Sequence, residues 1–135
     1  MPEVVIRDSE DSAPARPFVI VADDDPVVRR LLEVTVRNAG CDVATAKNGD
    51  EALELMAGKQ PVLAILDVSM PFRSGLEVAR ELRARGQSVP IIFLTSHTQE
   101  QDVLEGFLSG AVDYVFKPFS PRELQARIKA MLLRS

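Results

Sequence analysis

Five short runs rich in apolar and β-branched residues punctuate the chain: Phe18–Ala22, Cys41–Thr45, Val62–Leu66, Ile91–Leu94 and Val112–Phe116. A turn follows each run, and then a stretch whose apolar residues recur at helical spacing. Asp25-Pro26 supplies an N-cap and a proline at the first helical position. Val28, Leu31, Leu32 and Thr35 follow on one face, and Gly40 is a stop. The pattern predicts a second helix over about Gly49–Ala57, with Leu53 and Met56 inward and Gly58 at its end. A third is predicted over about Gly75–Arg85, using Leu76, Ala79 and Leu82 and stopping at Gly86. A fourth, about Gln99–Leu108, uses Val103, Leu104, Phe107 and Leu108. The fifth opens with Ser120-Pro121-Arg122-Glu123, which reads as a capping box with proline at N1, and continues through Leu124, Ile128, Met131 and Leu132. These apolar stripes are core packing and carry no chemistry.

Strands alternating with helices of this length imply βαβ units around a parallel sheet. The first, third and fourth runs are apolar throughout, as strands covered on both faces should be. The second and fifth carry Asp42 and Asp113, which suits the edges of a sheet. Strands 1, 3 and 4 inside and 2 and 5 outside give the order 2-1-3-4-5. The predicted fold is therefore α/β: a doubly wound five-stranded parallel sheet, (βα)5, of the flavodoxin-like kind.

Residues 1–16 lack any such period. Asp8, Ser9, Glu10, Asp11, Ser12, Ala13 and Pro14 read as a flexible leader, with a short extended piece at Val4-Val5-Ile6; residues 17–135 read as one domain. The chain has 135 residues, 46% hydrophobic and 27% charged, the balance of a soluble globular domain rather than a disordered segment. Its net charge of −4 falls to −2 without the leader, so the domain is a poor candidate for binding nucleic acid by itself. One cysteine, Cys41, excludes an intrachain disulfide and a multi-cysteine zinc site, and one histidine, His97, excludes a histidine-rich metal site. No apolar run approaches a membrane span and the N-terminus does not read as a signal peptide, so a cytoplasmic location is expected.

In an open parallel sheet, ligands sit beyond the carboxyl ends of the strands where strand order reverses, here between strands 1 and 3. At those ends the sequence places Asp23, Asp24 and Asp25, then Asp67, then Thr95 and Ser96, then Lys117. Taken singly these are bland. Asp25 before a proline is a helix cap, Asp67 could be a cap or loop residue, and Thr95-Ser96 could cap the next helix. Together they are four segments delivering complementary groups to one end of one sheet. Carboxylates converging in a small cleft repel one another, so a divalent cation that prefers hard oxygen donors is the expected companion. A metal, a lysine and a hydroxyl around one carboxylate make a phosphoryl-binding constellation, and that carboxylate can itself be the nucleophile.

From Phe18 to about Arg134 the chain resembles the receiver domain of bacterial two-component response regulators. The likeness rests on Asp23-Asp24, on Leu66-Asp67-Val68-Ser69-Met70-Pro71 with Gly75 following, on Leu94-Thr95-Ser96, and on Gly110-Ala111-Val112-Asp113-Tyr114-Val115-Phe116-Lys117-Pro118-Phe119. The resemblance implies a phosphorylation-activated switch. Asp67 would be the phosphoacceptor, served by a sensor histidine kinase or phosphotransfer protein. Asp24, Asp67 and the Ser69 backbone carbonyl would hold Mg²⁺, with Asp23 acting through a water. Lys117 would pair with Asp67 at rest and with the phosphoryl oxygens afterwards, through a cis Lys117–Pro118 bond. Thr95 and Tyr114 would be the switch pair, and small Ser96 would leave the phosphoryl group accessible. Ser69 and His97 stand where the lifetime of the phosphoryl group is tuned. The signal would leave through the surface of the fourth helix, fifth strand and fifth helix.

The last helix looks most like that of regulators with a winged-helix DNA-binding output. Those dimerise through ion pairs, and Asp113, Glu123 and Arg127 match that set, so a homodimer on phosphorylation is one expectation. Val103 stands where the basic partner on the fourth helix would be, with Glu105 close by. The chain ends just after the last helix. It is either a stand-alone receiver acting on an output protein or a receiver whose output domain has been cut away. Other functions fit these residues less well. A Mg²⁺-dependent phosphohydrolase would need a general acid two residues after the nucleophile, where Ser69 stands. A nucleotide or flavin module would need a glycine-rich phosphate loop after strand 1, where three aspartates stand.

Overall fold

The computed structural model describes residues 16–96 and 113–134. Among them the elements run β1 (Phe18–Ala22), α1 (Pro26–Asn38), β2 (Asp42–Ala46), α2 (Gly49–Gly58), β3 (Leu63–Asp67), α3 (Gly75–Ala84), β4 (Ile91–Thr95), β5 (Asp113–Phe116) and α4 (Pro121–Arg134). The leader over 1–15, the helix expected over 99–108, and His97, Val103, Glu105 and Val112 lie outside the described residues.

The five strands form one parallel sheet in the order β2-β1-β3-β4-β5. The hydrophobic pattern explains that order. β3 and β4 are buried at every position, and β1 is buried beyond Phe18. β2 begins with exposed Asp42, and β5 begins with half-buried Asp113 and ends with exposed Phe116. Apart from Asp67 and Thr95 at the carboxyl ends of β3 and β4, the polar strand residues sit where one flank of the strand is open.

Because strand side chains alternate, each helix pair finds its own set. Ile20, Ala64, Leu66 and Phe93 pack on one face with Leu53 and Met56 of α2 and Leu76, Ala79 and Leu82 of α3. Val19, Val21, Ile65, Ile92 and Leu94 pack on the other with Leu32 and Val36 of α1 and Leu124, Ile128 and Met131 of α4. Both faces are thus closed, and the polar groups at the strand ends face the mouth of the sheet.

Local signals set the helix starts. The Asp25 carboxylate accepts from Val27 N, with Pro26 at the first helical position of α1. Ser120 Oγ accepts from Glu123 N at 3.3 Å at the start of α4, while the Glu123 carboxylate turns to Arg127 instead of closing the box. A full capping box stands elsewhere: Ser74 Oγ accepts from Glu77 N, and the Glu77 carboxylate accepts from Ser74 N, at the start of α3.

β2 and β3 each begin one residue later than the apolar runs predict. Asp42 N donates to Pro17 O and Val62 N donates to Phe18 O, which fixes the parallel register from Asp42 and Leu63 onward. Cys41 is apolar enough to be buried but precedes the ladder. Arg16, read as the end of the leader, lies against the domain. Its guanidinium donates to Cys41 O at 3.0 Å and pairs with Asp42 at 3.3 Å.

Candidate phosphoacceptor and metal site

β1 and β3 are neighbours, so the residues at their carboxyl ends meet. Asp67 is the last residue of β3, in register with Leu94, and Asp23 follows β1 directly. Oxygen atoms of Asp23, Asp24 and Asp67 all lie within 4.8 Å of one another. Asp23 is fully buried, Asp67 is 6% exposed, and Asp24 is open to solvent. Lys117, just past β5, reaches across β4 to this cluster. Its Nζ lies 2.8 Å from Asp67 Oδ2 and 2.8 Å from Asp23 Oδ2. The peptide bond after it, Lys117–Pro118, is cis as expected.

One ammonium against three carboxylates leaves the cluster strongly negative. Burial pushes the Asp67 carboxyl above its ordinary range, more than the hydrogen bond from Lys117 lowers it, and the neighbouring Asp23 charge adds to the rise. Burial alone would lower the Lys117 ammonium, but its contacts with Asp23 and Asp67 together raise it above its usual value. Asp23 Oδ2 meets that ammonium as a charge contact yet accepts no well-directed hydrogen bond. A buried carboxylate oxygen with spare acceptor capacity, beside two more carboxylates, is the donor set a hard divalent cation takes. The residues present therefore fit Mg²⁺. Beside Asp24 a cleft of about 510 Å³ is lined by Ser69, Met70, Pro71, Ser74 and Leu76.

The loop after β3 is tightly held. Ser69 N donates to Asp67 Oδ1 at 3.1 Å, and Gly75 N donates to Val68 O at 3.0 Å. A Cβ on Gly75 would lie 2.3 Å from the Asp67 carbonyl oxygen, so only glycine lets α3 start this close to the strand. At the loop's tip Arg73 N donates to Pro71 O at 2.7 Å around Phe72, whose φ is +66°. This is a γ-turn of the rarer, strained kind. Arg73 is tied down by Asp50 at 2.8 Å, at the start of α2. The Phe72 side chain is 83% exposed.

Thr95 ends β4 and is fully buried; its hydroxyl donates to Ser96 O at 3.3 Å, and Ser96 is half-buried. Tyr114 is buried on the neighbouring strand with its ring 5.7 Å from that of Phe93. Phe93 pairs with Tyr114 and Thr95 with Phe116, so Tyr114 shares a face with Thr95, one step back along the sheet. Asp113, Glu123 and Arg127 also come together, within the one chain. Arg127 Nη1 donates to both Asp113 oxygens at 2.9 and 2.7 Å, and Arg127 Nη2 donates to Glu123 at 3.0 Å.

The sequence reading missed two groups around the site. Arg29 of α1 donates through Nη1 to the Asp23 carbonyl oxygen at 2.9 Å. The Asp50–Arg73 pair fastens the loop after Asp67 to α2. An arginine one turn inside the helix that follows the acidic strand end is a usable signal for the first; nothing local pairs Asp50 with Arg73.

The sequence profile of the response regulator receiver domain matches residues 19–129. The alkaline phosphatase synthesis transcriptional regulatory protein PhoP of Bacillus subtilis is 43% identical over 117 residues, 87% of this chain and 49% of its own length. The DNA-binding response regulator MtrA of Mycolicibacterium smegmatis is 42% identical over 120 residues, 89% of this chain and 52% of its own. The chain thus spans about half the length of the curated relatives it matches. Among solved structures, the receiver domain of Francisella response regulator 1452 superposes with a TM-score of 0.81 at 32% identity, covering 87% of this chain and 98% of that one. Chemotaxis protein CheY4 of Vibrio cholerae gives a TM-score of 0.80 at 32% identity, covering 87% and 99%.

Proposed function

The chain belongs to the response regulator receiver domain family of two-component signalling, and from that premise we propose that Asp67 accepts a phosphoryl group and switches the domain. The observation that carries this reading is the meeting of Asp67, Asp23, Asp24 and Lys117 at one strand end.

Asp67 is the carboxylate best placed as nucleophile, since Ser69 N and Lys117 Nζ hold its two oxygens in separate directions. Its oxygen attacks phosphorus in line; the O–P bond forms as the P–N bond of a phosphohistidine breaks and the imidazole leaves. Lys117 is positioned to hold the incoming phosphoryl oxygens once they displace the carboxylate from it. Asp24, Asp67 and the Ser69 carbonyl would hold Mg²⁺, with Asp23 acting through a water, and the ion supplies neutralising charge for the transferring group when bound. Thr95, at the end of the next strand, is the hydroxyl that would move to the phosphoryl group, with Tyr114 following on the same face. Only contacts that differ between the two conformations bias such a switch, and the new phosphoryl charge and acceptors supply them.

The partners in this reading are a sensor histidine kinase or phosphotransfer protein and an output module. Pairing with a second copy through Asp113, Glu123 and Arg127 would require these residues to exchange the bonds they make within the chain. No described helix is long and apolar enough to cross a membrane. A small phosphodonor such as acetyl phosphate with Mg²⁺, followed by peptide mapping of the adduct, tests the proposal. A phosphoryl group on Asp67 is expected, and one on any other residue overturns it.

A further inference from the structure

Asp23, which opens the acidic turn after β1, is held at each of its polar groups. Asp23 N donates to Ala46 O at 3.1 Å, and Asp23 Oδ1 accepts from Asp25 N at 2.9 Å. Asp23 Oδ2 faces Lys117 at 2.8 Å. The remaining group, the Asp23 carbonyl oxygen, accepts from Arg29 Nη1 at 2.9 Å. Arg29 is half-buried in the first turn of α1, and its own amide donates to Asp25 O at 2.9 Å. The guanidinium therefore reaches back from a helix whose start is anchored on the same turn.

The Asp23 carbonyl belongs to the peptide plane that ends at the Asp24 nitrogen. That plane is rigid, so its orientation sets where the Asp24 nitrogen and Cα lie, the base from which the Asp24 side chain departs. Asp23 and Asp67 have lysine and backbone partners to aim them. Asp24 is exposed, and its approach to the other two depends on how the backbone presents it. We propose that Arg29 is a positioning residue for the cation site: by holding the Asp23 carbonyl it keeps the Asp24 carboxylate within coordinating distance of Asp23 and Asp67. This rests on the reading of the cluster as a Mg²⁺ site.

Two effects of Arg29 on a bound cation have opposite signs, which makes them separable. As a positive charge near the site, Arg29 repels Mg²⁺, and removing it should tighten binding. As a positioning group it preorganises a ligand, and removing it should loosen binding by about fivefold, the size of one net hydrogen bond.

The test titrates MgCl₂ into the whole 135-residue chain and follows backbone amide resonances, for wild type, Arg29→Met and Arg29→Lys. Methionine keeps an apolar stem without a donor, and lysine keeps one donor and the charge. Weakened Mg²⁺ binding in Arg29→Met with partial recovery in Arg29→Lys is expected. Unchanged or tighter binding in Arg29→Met overturns the proposal, as does a fall in thermal stability with no change in Mg²⁺ affinity. If Arg29→Met does not fold, Arg29→Gln replaces it under the same criteria. A wild-type chain that binds no Mg²⁺ overturns the metal-site reading itself, and the proposal with it.

Discussion

Lys117 and Asp67 are 50 positions apart in the chain and 2.8 Å apart in space, joined across the carboxyl end of β4. The same ammonium also faces Asp23, so one cation holds two buried carboxylates. Lys117→Ala removes it and leaves both acids buried without a counter-charge. The expected result is a less stable apo chain, by about 2 kcal/mol or more in urea unfolding. Mg²⁺ should restore more of that loss than it adds to wild type, because it binds only the folded cluster. Equal Mg²⁺ stabilisation of the two proteins would separate Lys117 from the cation site.

The raised Asp67 carboxyl gives the apo chain a definite pH dependence. A carboxyl that binds its proton more tightly folded than unfolded contributes stability that is complete below the ordinary carboxylate range and lost as pH rises through its folded value. Lys117, raised as well, contributes stability that is present at neutral pH and lost only above the ordinary lysine range. Asp67→Asn removes the first effect without removing Lys117's charge contact with Asp23. The variant should therefore be at least as stable as wild type in metal-free buffer at pH 7. Its advantage should shrink as the pH is lowered toward 4, as measured by urea unfolding across that range.

Gly75→Ala tests how closely α3 must approach the strand that ends in Asp67. The added Cβ would meet the Asp67 carbonyl oxygen at 2.3 Å, a backbone atom that cannot swing aside. A loss of about 1–3 kcal/mol of stability is expected, together with weaker Mg²⁺ binding, since relief of the clash must move β3 or the loop carrying Ser69. An unchanged unfolding midpoint would contradict the close approach.

The parallel sheet, its strand order and the convergence of Asp23, Asp24, Asp67 and Lys117 were all legible because each follows from a local pattern. Continuous apolar runs mark central strands, acidic residues mark edges, and the fold brings strand ends together. Strand starts were less legible: Cys41 and Val62 look like ladder residues, but pairing with Pro17 and Phe18 sets the register. The Ser74–Glu77 capping box was not read from the sequence, because Ser74 stands in a loop whose course depends on Gly75 and Arg73. Arg29 leaves only a positional signal, one turn into the helix after Asp23-Asp24, because it acts on a main-chain oxygen and no complementary side chain in the sequence points to it.

The ion pairs on α4 bear on stability before they bear on any second copy. Arg127 donates twice to half-buried Asp113 and also to Glu123. Arg127→Met keeps the stem and removes the fork. It should lower the stability of the unphosphorylated chain by about 1 kcal/mol, more than an isolated exposed pair would. No change in unfolding midpoint would mean that these bonds contribute nothing within the single chain.

The central claim, that Asp67 is the phosphoacceptor, is tested most directly by the intact mass of the chain after incubation with acetyl phosphate and Mg²⁺. Wild type should gain the mass of one phosphoryl group, and Asp67→Asn, folded and unable to form the acyl phosphate, should gain none. Undiminished labelling of Asp67→Asn would contradict it.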